Sequence, residues 1–146
     1  MKLVFLGVLS LMLSSTTQAG DDQAESKSLE GTWSLSSAVM AGKPFPEQLI
    51  KTMSLTMRDG RYTVMVGQVK DEGTAKLDSS KTPKTMEITG TDGPNKGKTL
   101  LAIYKIDGDS LTICYDLSGK AYPTEFKSKA ETKLFLVEYK RDKSSK

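Results

Sequence analysis

One segment, GPNKGKT at residues 93–99, comes close to a phosphate-binding loop. That loop needs four residues between its glycines and a helix directly after it, because backbone N–H groups and the helix N-terminus hold the phosphate. Here three residues separate Gly93 from Gly97, and the apolar, β-branched run that begins at Thr99 predicts a strand. The spacing and the following strand favour a hairpin loop over a nucleotide site.

Two pairs of carboxylates are candidates for acid–base chemistry, which needs one carboxyl group in a dry pocket and an ionised partner. Asp71 and Glu72 are adjacent, and Asp107 and Asp109 flank a glycine. All four stand in glycine-containing, turn-like stretches, where aspartate commonly makes local hydrogen bonds. The second pair also lacks the spacing of an EF-hand calcium loop. We interpret these residues as solvated turn residues.

The chain contains no histidine and one cysteine, Cys114. The absence of histidine removes the commonest general base and the commonest metal ligand. Cys114 lies in the apolar run SLTICY, where a packed thiol is more typical than a reactive one. We therefore expect no catalytic residues, no metal, no cofactor and no enzyme activity.

The N-terminus has the three parts of a secretory signal peptide. Lys2 gives a positive start, a mainly apolar run follows at residues 3–13, and small residues precede a cut between Ala19 and Gly20. The apolar run is about half the roughly 20 residues that span a bilayer, which favours cleavage over anchoring. We predict a signal peptide at residues 1–19 and an exported protein, periplasmic or extracellular.

The remaining chain predicts one domain at residues 29–141, preceded by a flexible, polar leader at 20–28 and followed by a charged tail at 142–146. The 21 Lys and Arg residues nearly balance the 18 Asp and Glu residues, so we expect no nucleic-acid partner. No second long apolar segment occurs, so we expect no stable membrane insertion after cleavage.

Short alternating runs separated by turn signals begin at Leu29, a pattern typical of an all-β sandwich or barrel. The clearest hairpin joins residues 53–58 to residues 62–66 through an Asp-Gly turn. About eight strands in series favour an antiparallel up-and-down barrel, because closure removes exposed edges. One short helix is expected at residues 47–52, after the first strand.

Alternating side chains on these strands would share the inner face of the barrel. The candidate ligand-lining residues are Met53, Leu55, Met57, Tyr62, Val64, Val66, Met86, Ile88, Tyr104 and Tyr115. The same stripe could fill a closed core, because the interior of an eight-stranded barrel can be filled by side chains alone. Methionine suits an adaptable pocket but is also ordinary core filler. Of the two interpretations, a filled core is favoured.

The segments LEGTW at residues 29–33 and YKR at 139–141 resemble the Gly-x-Trp and late-Arg pair of lipocalin-like (calycin-type) barrels. The run from Leu29 to Arg141, including GKPFP, DEGTAKLD and IYKIDGDSLTICYDL, is similar to an uncharacterised bacterial lipocalin-like domain family found behind signal peptides. The resemblance implies that Trp33 plugs one barrel end, that Arg141 stacks on its ring, and that Gly31 lets the backbone pass closely. It implies no activity.

The sequence leaves two main hypotheses about function. The first is an extracytoplasmic module that binds a small apolar or amphipathic ligand, and the second is a cell-envelope interaction or structural domain without an internal ligand, whose protein partner the sequence does not identify. An open apolar cavity of roughly 300 Å³ or more would favour the first, and a packed interior the second.

Overall fold

Alternating side chains and short turns produce nine strands and two helices in residues 17–143, the part of the chain that the computed structural model describes. The helices are α1 (Thr17–Leu29) and α2 (Glu47–Ile50). The strands are β1 (Gly31–Met40), β2 (Lys43–Pro44), β3 (Met53–Arg58), β4 (Arg61–Val66), β5 (Val69–Asp78), β6 (Lys84–Asp92), β7 (Thr99–Asp107), β8 (Ser110–Asp116) and β9 (Leu134–Arg141). The predicted signal peptide lies mostly outside the described residues, as does the end of the charged tail.

The eight longer strands close into an antiparallel barrel. In the order β1-β3-β4-β5-β6-β7-β8-β9 each strand pairs with the next, and β9 pairs back with β1. The short β2 only extends the end of β1. Closure pairs both edges of the sheet, which would otherwise template aggregation. The predicted up-and-down barrel, with a short helix after its first strand, is confirmed and is consistent with a lipocalin-like architecture.

The β3–β4 hairpin shows how local sequence sets which side chains face inward. Asp59 and Gly60 both have positive φ, 51° and 72°, as the favoured two-residue hairpin turn requires. The turn places Met57 opposite Tyr62, and both side chains are buried in the barrel core. Because strand side chains alternate, every second residue on both strands then faces the core.

The irregular segment at residues 117–133 covers the outer face of β7 and β8. Ile103 and Cys114 are directly paired and buried, yet they lie outside the core cluster of the barrel. The Cys114 thiol contacts the carbonyl oxygen of Lys127 at 3.5 Å, and burial raises its pKa. The prediction that Cys114 is a packed thiol is confirmed.

The N-terminal segment differs from the predicted flexible leader, because residues 20–28 belong to α1 and the helix packs on the barrel. Asp22 accepts hydrogen bonds from the backbone N–H and the hydroxyl of Ser79, at 3.0 and 2.7 Å. The Lys84 ammonium donates to Glu25 at 2.8 Å. Polar side chains attach the helix to the barrel. Its sequence has no apolar periodicity, the pattern by which a packed helix is usually recognised, and the helix was therefore not predicted.

Candidate functional site

The end of the barrel beside α1 is closed by Trp33. Its side chain is 0 % exposed, and its indole Nε1 donates a hydrogen bond to the Leu29 carbonyl at 2.9 Å. The Arg141 guanidinium carbon lies 4.1 Å from the centre of the indole ring, a cation–π contact. The structure thus brings together the plug and the stacked arginine that the resemblance implied. We call this region the closed end.

Arg141 also satisfies backbone carbonyls where α1 ends. Its two terminal nitrogens donate to the carbonyls of Ser28 and Glu30, each at 2.8 Å. Carbonyls at a helix C-terminus lack partners within the helix, so the guanidinium supplies the donors that they need. A Cβ on Gly31 would meet Arg141 only at an ordinary 3.6 Å, whereas its φ of 119° favours glycine. Backbone conformation, not close approach, therefore calls for Gly31.

The second carboxylate pair belongs to the closed end and plays a structural part there. Asp109 forms ion pairs with Lys143 at 2.9 Å and with Arg141 at 3.3 Å. The hydrogen bond from Lys143, together with the two positive charges, lowers the pKa of Asp109. Asp107 is exposed at the end of β7. Neither carboxylate lines the barrel interior.

A cavity of about 110 Å³ lies in the other half of the barrel. Eight of the ten candidate lining residues border it, namely Met53, Leu55, Met57, Tyr62, Val64, Met86, Ile88 and Tyr115. Further lining residues are Asp71, Ala75, Asn95, Leu100, Ile113, Leu117, Phe135 and Tyr139. Neither Trp33 nor Arg141 takes part. We call this half the cavity end.

Two candidate lining residues, Val66 and Tyr104, do not border this cavity. Tyr104 faces inward but is buried beside α1, where burial and the charges of Glu25 and Asp22 raise its pKa. Val66 stands at the end of β4, opposite Met53, and packs at the rim of the core. Period-two alternation assigns residues to the inner face but not to a level along the barrel axis.

The most informative residue at the cavity end is Asp71, which is only 9 % exposed. Its Oδ2 accepts hydrogen bonds from the Tyr62 hydroxyl at 3.1 Å and from the Asn95 Nδ2 at 2.9 Å. Its Oδ1 accepts one from the Asn95 backbone N–H at 2.9 Å. The interpretation of Asp71 as a solvated turn residue is wrong, because β5 begins at Val69 and places this side chain inside the barrel.

A signal for the burial of Asp71 was present in the sequence. Gly73, Ala75 and Leu77 follow it at every second position, and they form the inward row of β5. Extending that row back by two residues places Asp71 on the same face, since side chains alternate along a strand. Gly73, two residues later, favoured a turn, and this local signal led to the prediction of a solvated residue in spite of the alternation.

Asp71 also anchors the β6–β7 loop through its bonds to Asn95. Two glycines let this loop fold back on the sheet: a Cβ at Gly90 would collide with the Asn95 carbonyl, and one at Gly93 with the Lys70 carbonyl. β7 then starts as a strand at Thr99. The prediction of a hairpin loop instead of a phosphate-binding loop is confirmed.

Two tyrosine hydroxyls at the cavity have no hydrogen-bond partner among the described residues, those of Tyr115 and Tyr139. Tyr139 is 3 % exposed, and burial raises its pKa. Burial is likewise the main cause that raises the pKa of Tyr115. Burial and Asp71 likewise raise the pKa of Tyr62. All three phenols therefore stay neutral near neutral pH.

The cavity wall has a negative charge and no positive one. Asp71 is the only ionisable acid or base among the lining residues other than the tyrosines, and no lysine or arginine lines the cavity. Within residues 17–143 Asp71 forms no ion pair. In the same residues no three His, Cys, Asp or Glu side chains are grouped closely enough to hold a metal ion.

Comparison with known proteins found no matching family model and no curated protein with significant similarity. The similarity to a lipocalin-like family therefore stays a prediction. In residues 17–143 neither helix has the length and apolar character needed to cross a membrane. The function has to be inferred from the geometry of the cavity end.

Proposed function

We propose that the protein binds a small amphipathic molecule in the cavity end of its barrel, outside the cytoplasm. The observation that carries this proposal is a cavity of about 110 Å³ whose apolar wall is interrupted by one buried hydrogen-bonded carboxylate. Ligand sites are typically mainly apolar, with a few placed polar groups that fix orientation. An apolar protein cavity of about 150 Å³ holds benzene, so the occupant here is a group of similar or smaller size.

The composition of the wall supports an adaptable site. Met53, Met57 and Met86 line the cavity, and methionine side chains rearrange more readily than branched ones. Partly exposed Leu117 and Phe135 border it, so an entering molecule meets side chains near the surface rather than the packed closed end. A ligand larger than the cavity would have to displace these residues.

The size of the cavity also favours a second candidate, an interaction or structural domain of the cell envelope. About 110 Å³ is well below the roughly 300 Å³ at which sites for drug-sized ligands begin. On this alternative the cavity is a packing void, and the protein acts through its loops or its outer face.

A titration followed by backbone NMR separates the two candidates. Cyclopentanol, with six heavy atoms and one hydroxyl, matches the size and polarity of the cavity, and we expect saturable shifts with a dissociation constant of about 1 mM, or about 4 kcal/mol. Val64→Phe fills the cavity and should abolish the shifts. Val69→Phe adds the same bulk at a position 55 % exposed and should not.

Two outcomes count against the binding proposal: shifts that stay linear in ligand concentration, or shifts that Val64→Phe leaves unchanged. If Val64→Phe does not fold, Ala75→Leu adds a smaller group to the same wall. Native mass spectrometry of the freshly purified protein would also reveal a co-purified molecule.

A further inference from the structure

We infer that the cavity end selects an organic cation, a small alkylammonium whose charge lies against the Asp71 carboxylate and the tyrosine rings while its apolar body fills the cavity. This inference rests on the proposed function and specifies its ligand class. The supporting observation is that the wall has a buried carboxylate among apolar and aromatic side chains and no positive charge.

The carboxylate of Asp71 has neutral partners only. The three donors around it are a phenol, a side-chain amide and a backbone amide, and none of them cancels its charge. A charge in a site of low dielectric is costly unless it is paired as well as hydrogen-bonded. An ammonium group in the cavity would provide the missing opposite charge.

The aromatic side chains favour a cation independently of Asp71. The rings of Tyr62, Tyr115, Tyr139 and Phe135 line the cavity, and aromatic faces attract cations, organic ammonium groups included. Tyr115 and Phe135 stack on each other at 6.0 Å between ring centres, so two of these rings lie side by side. The hydroxyl oxygens of Tyr115 and Tyr139, which have no described partner, can accept hydrogen bonds from ammonium N–H groups.

The same features argue against other ligand classes. A carboxylate or phosphate would meet the negative charge of Asp71 with no lysine or arginine in the wall to offset it. A divalent metal ion needs several anionic or imidazole ligands, and residues 17–143 provide no such group. A purely apolar molecule fits the volume but leaves the carboxylate unpaired.

Asp71 also anchors the β6–β7 loop, and the test has to separate that role from cation binding. Asp71→Asn keeps the shape and one oxygen acceptor toward Tyr62 and the Asn95 side chain, removes the charge, and gives up the acceptor of the Asn95 backbone N–H. Glu72→Gln is the matched control, because it removes a charge from the next residue of β5, whose carboxylate pairs with Lys70 outside the cavity.

The experiment compares three ligands with the same ring by NMR titration: cyclopentylammonium, cyclopentanol and cyclopentanecarboxylate. We expect the ammonium to bind about tenfold or more tightly than the alcohol, and the carboxylate to bind weakest, since a charged hydrogen bond is about twice as strong as a neutral one. Asp71→Asn should remove most of the ammonium preference and weaken cyclopentanol binding much less than ammonium binding. Glu72→Gln should change neither.

Each result has one meaning. Equal binding of the ammonium and the alcohol, or tighter binding of the carboxylate, overturns the cation inference and leaves the proposed function standing. Binding of none of the three overturns both. If Asp71→Asn does not fold, Tyr139→Phe and Tyr115→Phe keep the rings and remove the acceptors, and they should weaken the ammonium more than the alcohol; an equal loss overturns the inference.

Discussion

The two ends of the barrel are made from the same strands but differ in how their charged groups are paired. At the closed end the Trp33 indole, the Arg141 guanidinium and the carbonyls near the end of α1 satisfy one another, while the buried Tyr104 hydroxyl has no hydrogen-bond partner among the described residues. At the cavity end the buried Asp71 carboxylate has only neutral partners, and two tyrosine hydroxyls have no partner among the described residues. The Arg141 charge also has an opposite charge beside it in Asp109, whereas the Asp71 charge has none among the described residues and can pair with a ligand.

The difference comes from what covers each end. A 13-residue helix packs beside Trp33 and brings its own carbonyls to Arg141. The cavity end has the β6–β7 loop, which Asp71 ties through Asn95, and the four-residue α2, whose Ile50 packs against the core. We therefore expect stability to be concentrated at the closed end and binding at the cavity end.

The largest expected effect is on the plug. Trp33→Ala removes a fully buried ring and should lower the free energy of unfolding by about 3–5 kcal/mol, measured by urea denaturation. The comparison variant Leu117→Ala, at the partly exposed border of the cavity, should cost less than about 1 kcal/mol. Equal losses at the two positions would contradict the contrast between the ends.

High pH should act through the buried phenols of the cavity end. Burial holds the pKa values of Tyr62 and Tyr139 above the ordinary value of 10.0, so above that pH the unfolded chain has lost protons that the folded chain keeps. Stability is then fully present below about pH 10 and falls as the pH rises further, by up to about 1.4 kcal/mol per pH unit for each phenol.

Tyr139→Phe tests this alkaline effect, because it removes one titrating group and keeps the ring. The pH dependence of unfolding above pH 10 should become shallower, while Tyr122→Phe, at a phenol that is 40 % exposed, should leave it unchanged. An unaltered slope in Tyr139→Phe would show that this phenol does not contribute.

The stacked arginine should have an intermediate effect. Arg141→Lys keeps the positive charge but loses the planar fork that contacts two carbonyls and the indole, and it should cost about 1–2 kcal/mol. Trp33 is the only tryptophan of the chain, so its fluorescence reports directly on this contact. An unchanged emission spectrum in both Arg141→Lys and Arg141→Ala would argue that the stacking does not persist in solution.

The smallest effect concerns the attachment of α1. Asp22→Ala removes the acceptor of two hydrogen bonds from Ser79 and should cost about 1 kcal/mol in thermal or urea unfolding. Asp21→Ala, at the exposed neighbouring residue, is the control and should be close to neutral. Equal effects would indicate that the Asp22 hydrogen bonds do not stabilise the docking of the helix.

The predictable part of the molecule is the part that local patterns encode. Alternation identified the strands and their inner face, and the Asp-Gly turn determined the register of β3 against β4. The likeness of LEGTW and YKR to a lipocalin-like pair anticipated the contact between Trp33 and Arg141. Each of these follows from a period or a motif that can be read along the chain.

By itself the sequence therefore determined an antiparallel barrel and the inner face of its strands, because alternation is a property of each strand alone. Only the tertiary structure decided where along the barrel axis each inward side chain lies. Tyr104 lies at the closed end, and Asp71 lies at the cavity. It also decided that α1 docks through Asp22 and Glu25 and that the cavity measures about 110 Å³. The physical reason is that the position of a side chain along the barrel axis, the docking of α1 and the cavity volume all depend on strand pairing and packing between residues distant in the sequence.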